Sequence, residues 1–404
     1  MNTRNIHLCL TPYQLFVSYT YSKYVHDKYG EKSDIVYMQS YGEILILKDS
    51  FINFISLPNL NTNVFSKLWQ RLYYSGRLFL FSPLHILLQG FDEYNVFIYN
   101  DYYPIINNFI RHAKKKNSRI ILIEEGIGTY SSSNKTRSYS IKNLLRCVFM
   151  NILGSPMNYK AIGESNEITH VIVDNVPLYK SKPCSQKQIL LKQNKSAVFS
   201  CSKSFINATN ENIIHKSSYD LLFLGGPLSE DFKLIEEESN YLDNLFLPLL
   251  EKKVNIIVKP HPREKISKYR RFRSYDTFTL LEGVLQTMPI ECVMISLTIR
   301  AVAAFISSAS VNIAEANPQL PVIITYKMDI AKDLFNKFQK IYDDDYDGIF
   351  KSSNNNIYFV KNHMGLLSIL ESSKLNIKSD SNICCNDTDK ILFPEMDYFY
   401  SKSI

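Results

Sequence analysis

Three short segments, far apart in the sequence, combine residue types that suit acid–base chemistry or the binding of an anion. The first is Glu124-Glu125-Gly126, in which two carboxylates directly follow the apolar run Ile121–Ile123. Neighbouring carboxylates repel each other, so we expect the pKa of one to rise towards the range of a general base. Gly126 permits unusual backbone angles and the close approach of a ligand. The alternative interpretation is an acidic turn in contact with solvent.

The second segment is Lys259-Pro260-His261-Pro262, which follows the apolar run Val254–Val258. Pro260 moves Lys259 out of the helical region, and Pro262 suits the first turn of a following helix. These prolines predict an imidazole on a stiff loop between the end of a strand and the start of a helix. There it could donate a hydrogen bond to a phosphate oxygen or protonate a leaving phosphate. The alternative is a rigid turn in which the histidine has no chemical role.

The third segment is Ile306-Ser307-Ser308-Ala309-Ser310. Small hydroxyl side chains between a strand and a helix can bind an anion at the helix N-terminus. They can equally cap that helix, and plain N-capping is the alternative interpretation. One half of the chain thus contains an acidic pair, and the other half contains a histidine and serines. Taken together, these segments predict a general base that faces a phosphate-binding half.

Apolar runs and amphipathic patterns indicate the elements that position these segments. Buried strands are predicted at Ile6–Leu10, Asp34–Met38, Asn95–Tyr99, Arg119–Glu124, His170–Asp174, Asp220–Leu224, Asn255–Val258, Ala301–Ile306 and Pro321–Thr325. Helices are predicted at Pro12–Asp27, Phe65–Leu80, Tyr103–Lys115, Ile141–Leu153, Glu236–Glu251, Ser310–Asn317 and Asp329–Gln339. Strands that alternate with helices indicate parallel sheets of the α/β class.

Length and composition set the domain count and exclude some classes of partner. A chain of 404 residues exceeds what one core usually supports, so two domains are expected. The pattern thins after Pro183, which predicts a first domain at 1–190, a linker at 191–216, a second domain at 217–378 and a C-terminal segment at 379–404. The net charge of +7 fits an anionic ligand or loose association with an acidic membrane surface. It is too small to indicate nucleic acid, and no nucleic-acid motif is present.

The sequence also predicts a location. The N-terminus lacks the pattern of a signal peptide, and the longest apolar run, Leu78–Leu88, is too short to span a bilayer. The seven cysteines have irregular spacing and mostly apolar neighbours, as expected of reduced thiols. These features predict a cytoplasmic protein.

In order and spacing, the three segments resemble the motifs of bacterial sialyltransferases with two Rossmann-like domains, the GT-B type. That pattern is two acidic residues with glycine, then His-Pro, then paired Ser/Thr. The segments Leu122–Tyr130 and Val258–Glu264 are most similar to capsular polysialyltransferases, whereas Cys9–Gln14 is similar to lipooligosaccharide sialyltransferases. The resemblance implies two Rossmann-like domains that face a central cleft.

The resemblance implies an inverting transfer of sialic acid from the cytidine monophosphate (CMP) donor, CMP-sialic acid, to a glycan acceptor of capsule, O-antigen or lipooligosaccharide. It implies that Glu124 is the general base, with Glu125 and Gly126 in support. It implies that His261 binds the donor phosphate and stabilises or protonates the departing CMP. The other phosphate-binding candidates are Pro262, Ser307 and Ser308, with Lys259, Ser310 and Thr129 as weaker candidates by proximity. Because Ala309 interrupts the serine motif, the choice among its three serines stays open.

A monophosphate leaving group does not require a divalent metal, so the resemblance implies no cofactor and no metal. The acidic run Asp343–Asp347 contains an Asp-x-Asp, which binds manganese in metal-dependent glycosyltransferases. It follows a predicted helix instead of ending a buried strand, so we interpret it as a solvated loop. The pathway and the basic balance together suggest peripheral association with the inner face of the bacterial inner membrane.

Two other functions fit the same segments. A transferase that uses CMP-Kdo or CDP-glycerol would also need a His-Pro and serine clamp for phosphate. A non-catalytic two-lobed binding protein of the same pathway would keep the fold without the chemistry, since fold alone does not decide function. The motifs specify neither the acceptor nor the linkage.

Overall fold

The computed structural model describes residues 3–38, 47–57, 86–101, 104–116, 118–130, 162–209, 217–341, 356–376 and 392–400. The predicted helices Phe65–Leu80 and Ile141–Leu153 and the acidic run Asp343–Asp347 lie outside the described residues. The chain divides into two compact units. The first contains Met1–Ser40, Ile44–Asn194 and Leu392–Ile404, and the second contains Lys195–Ile391.

Parallel strands form one sheet in the first unit. They are β1 (Thr3–Cys9), β2 (Ser33–Met38), β3 (Ile52–Leu57), β4 (Glu93–Ile98), β5 (Ser118–Ile123), β6 (His170–Val173) and β7 (Ile189–Lys192). Their order across the sheet is β3-β2-β1-β4-β5-β6-β7, and each neighbouring pair is parallel. The order reverses between β1 and β4, as in a doubly wound fold.

The second unit repeats this plan. Its strands are β8 (Ser217–Leu224), β9 (Ile256–Lys259), β10 (Phe278–Leu280), β11 (Leu297–Ala304), β12 (Val322–Ile324) and β13 (Ile357–Phe359). They are parallel in the order β10-β9-β8-β11-β12-β13, which reverses between β8 and β11. Two parallel sheets with helical connections confirm the predicted α/β class with two Rossmann-like units.

Helices connect most of these strands. In chain order they are α1 (Pro12–Tyr29), α2 (Pro104–Lys114), α3 (Val176–Lys180), α4 (Lys195–Ser200), α5 (Ser202–Thr209), α6 (Leu228–Phe232), α7 (Ile235–Glu251), α8 (Val284–Thr287), α9 (Ile290–Val293), α10 (Ser308–Ala316), α11 (Lys332–Ile341), α12 (His363–Asn376) and α13 (Pro394–Tyr400). Short 3₁₀ turns lie at Ile127–Tyr130, Pro183–Lys187, Ile266–Ser274, Met294–Ser296 and Asp329–Ala331.

The ends of α1 illustrate how the sequence fixes an element. The Thr11 hydroxyl accepts a hydrogen bond from the Gln14 N–H at 3.3 Å, and Pro12 fills the first helical position. Gly30 ends the helix with φ 71°, a left-handed conformation that glycine adopts without strain. These caps fix where α1 begins and ends, shortly after the carboxyl end of β1.

Each sheet packs its own apolar core. In the first unit, side chains of β1, β4 and β5 pack with Phe109 and Ile110 of α2. In the second unit, Phe246 of α7 packs edge-on against Phe223 of β8 at 5.0 Å and against Phe272 at 5.2 Å. Strands buried on both faces read as continuous apolar runs, which is why the sequence reveals them.

The stretch expected to be a linker, 191–216, contains regular structure over much of its described part. Its first residues belong to β7, and α4 and α5 follow at once. These helices bury Val198 and Phe205 despite their polar composition. At the other end of the chain, α13 packs within the first unit rather than forming a separate segment.

Candidate functional site

The carboxyl edge of the first sheet carries the acidic segment. Ile98 of β4 pairs with Leu122 of β5, and Ile123 pairs with Ile172 of β6. The residues that follow these three strands therefore leave the sheet side by side. Open α/β sheets bind ligands at this edge, beside the reversal of strand order.

Glu124 directly follows β5 and has only 3% of its surface exposed. Its Oε2 accepts a hydrogen bond from the Asp174 N–H at 2.8 Å and another from the Tyr130 hydroxyl. The Tyr130 oxygen in turn accepts from the Asn175 N–H at 2.9 Å. Burial, and then the negative charge of Glu124, raise the pKa of Tyr130 far above its ordinary value, so the phenol stays protonated. The carboxylate is thus held in one orientation.

Glu125 is held by other partners. Its Oε1 accepts a hydrogen bond from Gln14 Nε2 at 2.6 Å, and Gln14 Oε1 accepts from the Leu10 N–H at 2.6 Å. Its backbone N–H donates to the hydroxyl of the buried Thr129 at 3.2 Å. Gly126 has φ 147°, the unusual backbone angle that its type predicted. Sequence reasoning missed Gln14 and Tyr130, although both lie in quoted motifs, because Gln14 reaches Glu125 and Tyr130 reaches Asn175 from distant parts of the sequence.

The carboxyl edge of the second sheet carries the other two segments. Lys259 of β9 pairs with Leu224 of β8, which on its other side pairs with Ala304 of β11. The loops after these three strands contain His261, Gly225 and Ser307, and they therefore leave the sheet as neighbours. The reversal of strand order between β8 and β11 lies among them.

The expectation that an α-helix begins just after His261 is wrong. A turn at 262–264, which includes the half-buried Pro262, leads into the 3₁₀ stretch Ile266–Ser274. The His261 N–H donates to Glu264 Oε2 at 2.5 Å. Gln286 Nε2 donates to the carbonyls of His261 and Glu264 at 3.1 and 3.0 Å. Side chains therefore occupy backbone groups that an α-helix would have used.

The imidazole of His261 is a neutral hydrogen-bond donor. Its Nδ1 accepts a hydrogen bond from the Arg263 N–H at 3.2 Å, which leaves the ring proton on Nε2. Burial, followed by the positive charges of Arg263, Lys259 and Lys268, lowers the pKa of His261 to about 3. The Nε2–H is suited to donate to an anionic oxygen.

A buried carboxylate that the sequence analysis missed supports this histidine. Glu264 accepts from the Tyr269 hydroxyl at 2.9 Å and lies 2.5 Å from Lys268 Nζ. Burial raises the pKa of Glu264 to about 7, although the charge of Lys268 acts in the opposite direction. A Cβ atom at Gly225 would collide with the Glu264 carboxylate, so only glycine allows this approach. The Glu264 side chain thus fixes both loops.

The serines have different surroundings. Ser307 occupies the N-cap position of α10, yet its side chain makes no capping hydrogen bond, so plain N-capping is the wrong interpretation for this residue. Ser308 is half-buried at the first helical position. Ser310 is fully buried, and its hydroxyl donates to the Ser307 carbonyl at 2.5 Å.

Lys259, also predicted to contact phosphate, is buried. Its Nζ donates to the Gln286 carbonyl at 3.0 Å, and burial lowers its pKa to about 8. Lys259 and Ser310 therefore direct their polar atoms at protein groups, which favours positioning roles for both.

The part of the chain that the structure describes lacks two further features. Its His, Cys, Asp and Glu side chains form no group of three or more that could hold a metal ion. None of its helices has the length and apolar character needed to cross a membrane.

Solved structures of sugar-nucleotide enzymes are similar to this chain at low identity. UDP-GlcNAc 2-epimerase from Neisseria meningitidis is 13% identical, with 93% of this chain and 98% of that chain covered and a TM-score of 0.49. The Methanocaldococcus jannaschii UDP-GlcNAc 2-epimerase is 11% identical, with 94% of each chain covered and a TM-score of 0.48. The GT-B domain of a sialyltransferase from Photobacterium damselae is 13% identical, with 93% and 97% covered and a TM-score of 0.43.

Sequence comparison is more specific. No curated protein matches the chain. The family model of alpha-2,8-polysialyltransferase, however, matches residues 5–323, which is well over half of the chain and includes every predicted site residue. The predicted class of enzyme, a glycosyltransferase that transfers sialic acid, is thereby confirmed, and the chain belongs to the alpha-2,8-polysialyltransferase family.

Proposed function

We propose that the protein is an inverting transferase that moves sialic acid from CMP-sialic acid to a glycan acceptor of a bacterial surface polysaccharide, without a metal. Family membership implies a sugar-nucleotide donor and a glycan acceptor. The observation that carries the finer proposal is the convergence of three strand-end loops, with Gly225, His261 and Ser307, beside one reversal of strand order. The first unit supplies the base and the second binds CMP.

Glu124 is the general base. Its carboxylate takes the proton of the acceptor hydroxyl as that oxygen bonds to the anomeric carbon of the donor. The bond from that carbon to the phosphate oxygen breaks, and CMP leaves with the electron pair. Attack opposite the leaving group inverts the anomeric carbon. A base of this kind typically contributes about 10²–10⁴ to the rate.

The departing phosphate gains negative charge, so donors that face it stabilise the transition state. The Nε2–H of His261 is one such donor. The hydroxyls of Ser307 and Ser308 are two more, at the N-terminus of α10, where the helix dipole also favours an anion. Lys259, Pro262 and Ser310 keep these donors in place.

The test is turnover of the purified full chain with CMP-sialic acid and acceptors ending in lactose, galactosamine or sialic acid, followed by mass spectrometry. Glu124→Gln should lower turnover by about 10²-fold or more and leave CMP affinity, measured by calorimetry, unchanged. The matched control is Glu93→Gln, at the amino end of β4 in the same sheet, which should retain native turnover.

Several outcomes would overturn the proposal. Turnover only with CMP-Kdo or CDP-glycerol would refute the donor, and native turnover of Glu124→Gln would refute the base. CMP binding without turnover on any donor would indicate a binding protein. Activity should survive excess chelator; its loss would refute the metal-free mechanism and turn attention to Asp343–Asp347.

Peripheral association with the inner face of the inner membrane is part of the proposal. The support is the net charge of +7, which favours anionic lipid at low salt. Sedimentation with anionic vesicles should decrease as salt rises, and equal sedimentation with neutral vesicles would contradict it.

A further inference from the structure

Tyr130 is the last residue of the 3₁₀ turn that directly follows the acidic segment, and its phenol contacts Glu124. We propose that Tyr130 is a positioning residue of the transfer reaction, whose hydroxyl holds the Glu124 carboxylate in the orientation in which it accepts a proton. This inference rests on the proposed role of Glu124 as the general base.

The direction of the hydrogen bonds can be assigned without ambiguity. The Asn175 N–H, which can only donate, points at the Tyr130 oxygen at 2.9 Å. A phenol has one proton, and here it is left for Glu124 Oε2. The Asp174 N–H, which also can only donate, reaches the same oxygen at 2.8 Å. Oε2 therefore receives two hydrogen bonds that both favour a carboxylate over a carboxylic acid.

The buried side chain of Lys182 holds the turn that carries Tyr130 in place. Lys182 has only 2% of its surface exposed, and its Nζ donates to the Thr129 carbonyl at 3.0 Å and to the Ile162 carbonyl at 2.6 Å. The Thr129 N–H also donates to the Gly126 carbonyl at 3.0 Å. Moving the turn that carries Tyr130 would break contacts of a buried ammonium, which is costly.

Several charged and titratable groups of the described residues lie around this pair. Asp174 lies at the end of β6, and Glu125 follows Glu124 in the chain. Lys182, just after α3, contacts the Thr129 carbonyl of the turn that carries Tyr130, and its Nζ lies over the ring of Tyr179. Lys182, Glu125 and Asp174 are unchanged when only the Tyr130 hydroxyl is removed, so the effect of that hydroxyl can be measured separately.

Tyr130→Phe keeps the ring and removes the donated proton. Losing a hydrogen bond to a charged carboxylate destabilises the form that accepts the proton. The acidic limb of the profile of kcat/KM against pH should therefore shift upwards by about one pH unit. At a pH below both midpoints, kcat/KM should fall about tenfold. CMP affinity should not change.

The experiment measures kcat/KM from about pH 4.5 to 8.5 for the native enzyme, Tyr130→Phe and Tyr179→Phe. Tyr179→Phe is the matched control, because its hydroxyl donates to Gln188 Oε1 at 3.1 Å and makes no described contact with Glu124. Its acidic limb should stay in place. Thermal melting of each variant separates a local effect from loss of the fold.

A second variant should shift the acidic limb in the opposite direction. Site-specific incorporation of 3-fluorotyrosine at position 130 keeps the shape of the residue and makes the phenol a stronger donor, so the acidic limb should move to lower pH. An unchanged limb in Tyr130→Phe, or shifts of both variants in one direction, would overturn the inference. If Glu124→Gln keeps its turnover, the proposed function fails; if it is inactive while Tyr130→Phe matches the native enzyme, only this inference fails.

Discussion

The groups around His261 set the pKa and the protonation state of its imidazole. Because its folded pKa lies below the ordinary value of about 6.5, the folded protein binds fewer protons than the unfolded chain between about pH 3 and 6.5. Stability contributed through this residue is therefore lost as pH falls through that window. A neutral ring also keeps its donor proton on Nε2 at the pH of the cell.

We accordingly expect the imidazole of the free enzyme to show no titration between about pH 5.5 and 8 by NMR, whereas in urea it should titrate near 6.5. His261→Gln should lower the dependence of unfolding free energy on pH over this range, measured by urea denaturation. A folded-state midpoint near 6.5 would contradict the assignment of a neutral donor.

The close approach of Glu264 to Gly225 gives a second prediction. Gly225→Ala would force the carboxylate away and release the His261 N–H, so CMP affinity should fall by about tenfold, measured by calorimetry. Gly226→Ala is the matched control, since the nearest atom to its added Cβ, in Leu228, is 4.0 Å away. Equal affinities of the two variants would show that Glu264 does not support the donor loop.

Among the elements, the inner strands are predictable from sequence and the edge strands are not. Within the described residues, β3, β7, β10 and β13 are the edges of the two sheets, and the sequence analysis predicts none of them. Edge strands are partly exposed, as β7 is at both of its ends, so they lack the continuous apolar run that reveals a buried strand. The inner strands have that run and were found.

Similar reasoning explains which residues of the candidate site can be predicted from the sequence. The sequence predicts Glu124, His261 and the serines as site residues because their types and spacing indicate chemistry at strand ends. Tyr130 and Glu264 are not predicted, because their roles are defined by backbone N–H groups of distant or looped residues, which no sequence pattern specifies. The start of the expected helix after His261 was wrong for the same reason.

The N-terminus of α10 gives a prediction for an element. The Ser307 side chain makes no capping hydrogen bond, so Ser307→Ala should lower the unfolding free energy by much less than the roughly 1 kcal/mol of an ordinary N-cap. The same variant should weaken CMP binding about tenfold. Ser310→Ala removes a buried hydrogen bond and should mainly lower thermal stability. If Ser307→Ala instead loses stability and keeps its CMP affinity, plain N-capping is the correct interpretation of this serine.

At the scale of the whole molecule, α13 returns the end of the chain to the first unit. Glu395 is buried and accepts hydrogen bonds from the Asn194 N–H at 3.0 Å and from the Tyr21 hydroxyl at 3.1 Å. Asp397 accepts from the Tyr24 and Tyr29 hydroxyls at 2.8 and 2.7 Å. These contacts attach α13 both to α1 and to the point where the chain leaves the first unit.

Glu395→Ala would leave two donors without an acceptor, so the unfolding free energy of the first unit should fall by about 2 kcal/mol in urea denaturation. Asp92→Ala, at an exposed position of the first unit, is the control and should change it by less than about 0.5 kcal/mol. A Glu395→Ala protein as stable as the control would mean that α13 packs without depending on this carboxylate.

The return of α13 also has a consequence for biosynthesis. Ribosomes make the chain from its N-terminus, and domains generally fold as units while they emerge. Phe399 packs against Phe97 and His170 of the first sheet, yet it is made only after all of Lys195–Ile391. The unit begun first is therefore completed last, and until then Phe97 and His170 of the nascent protein lack their contact with Phe399.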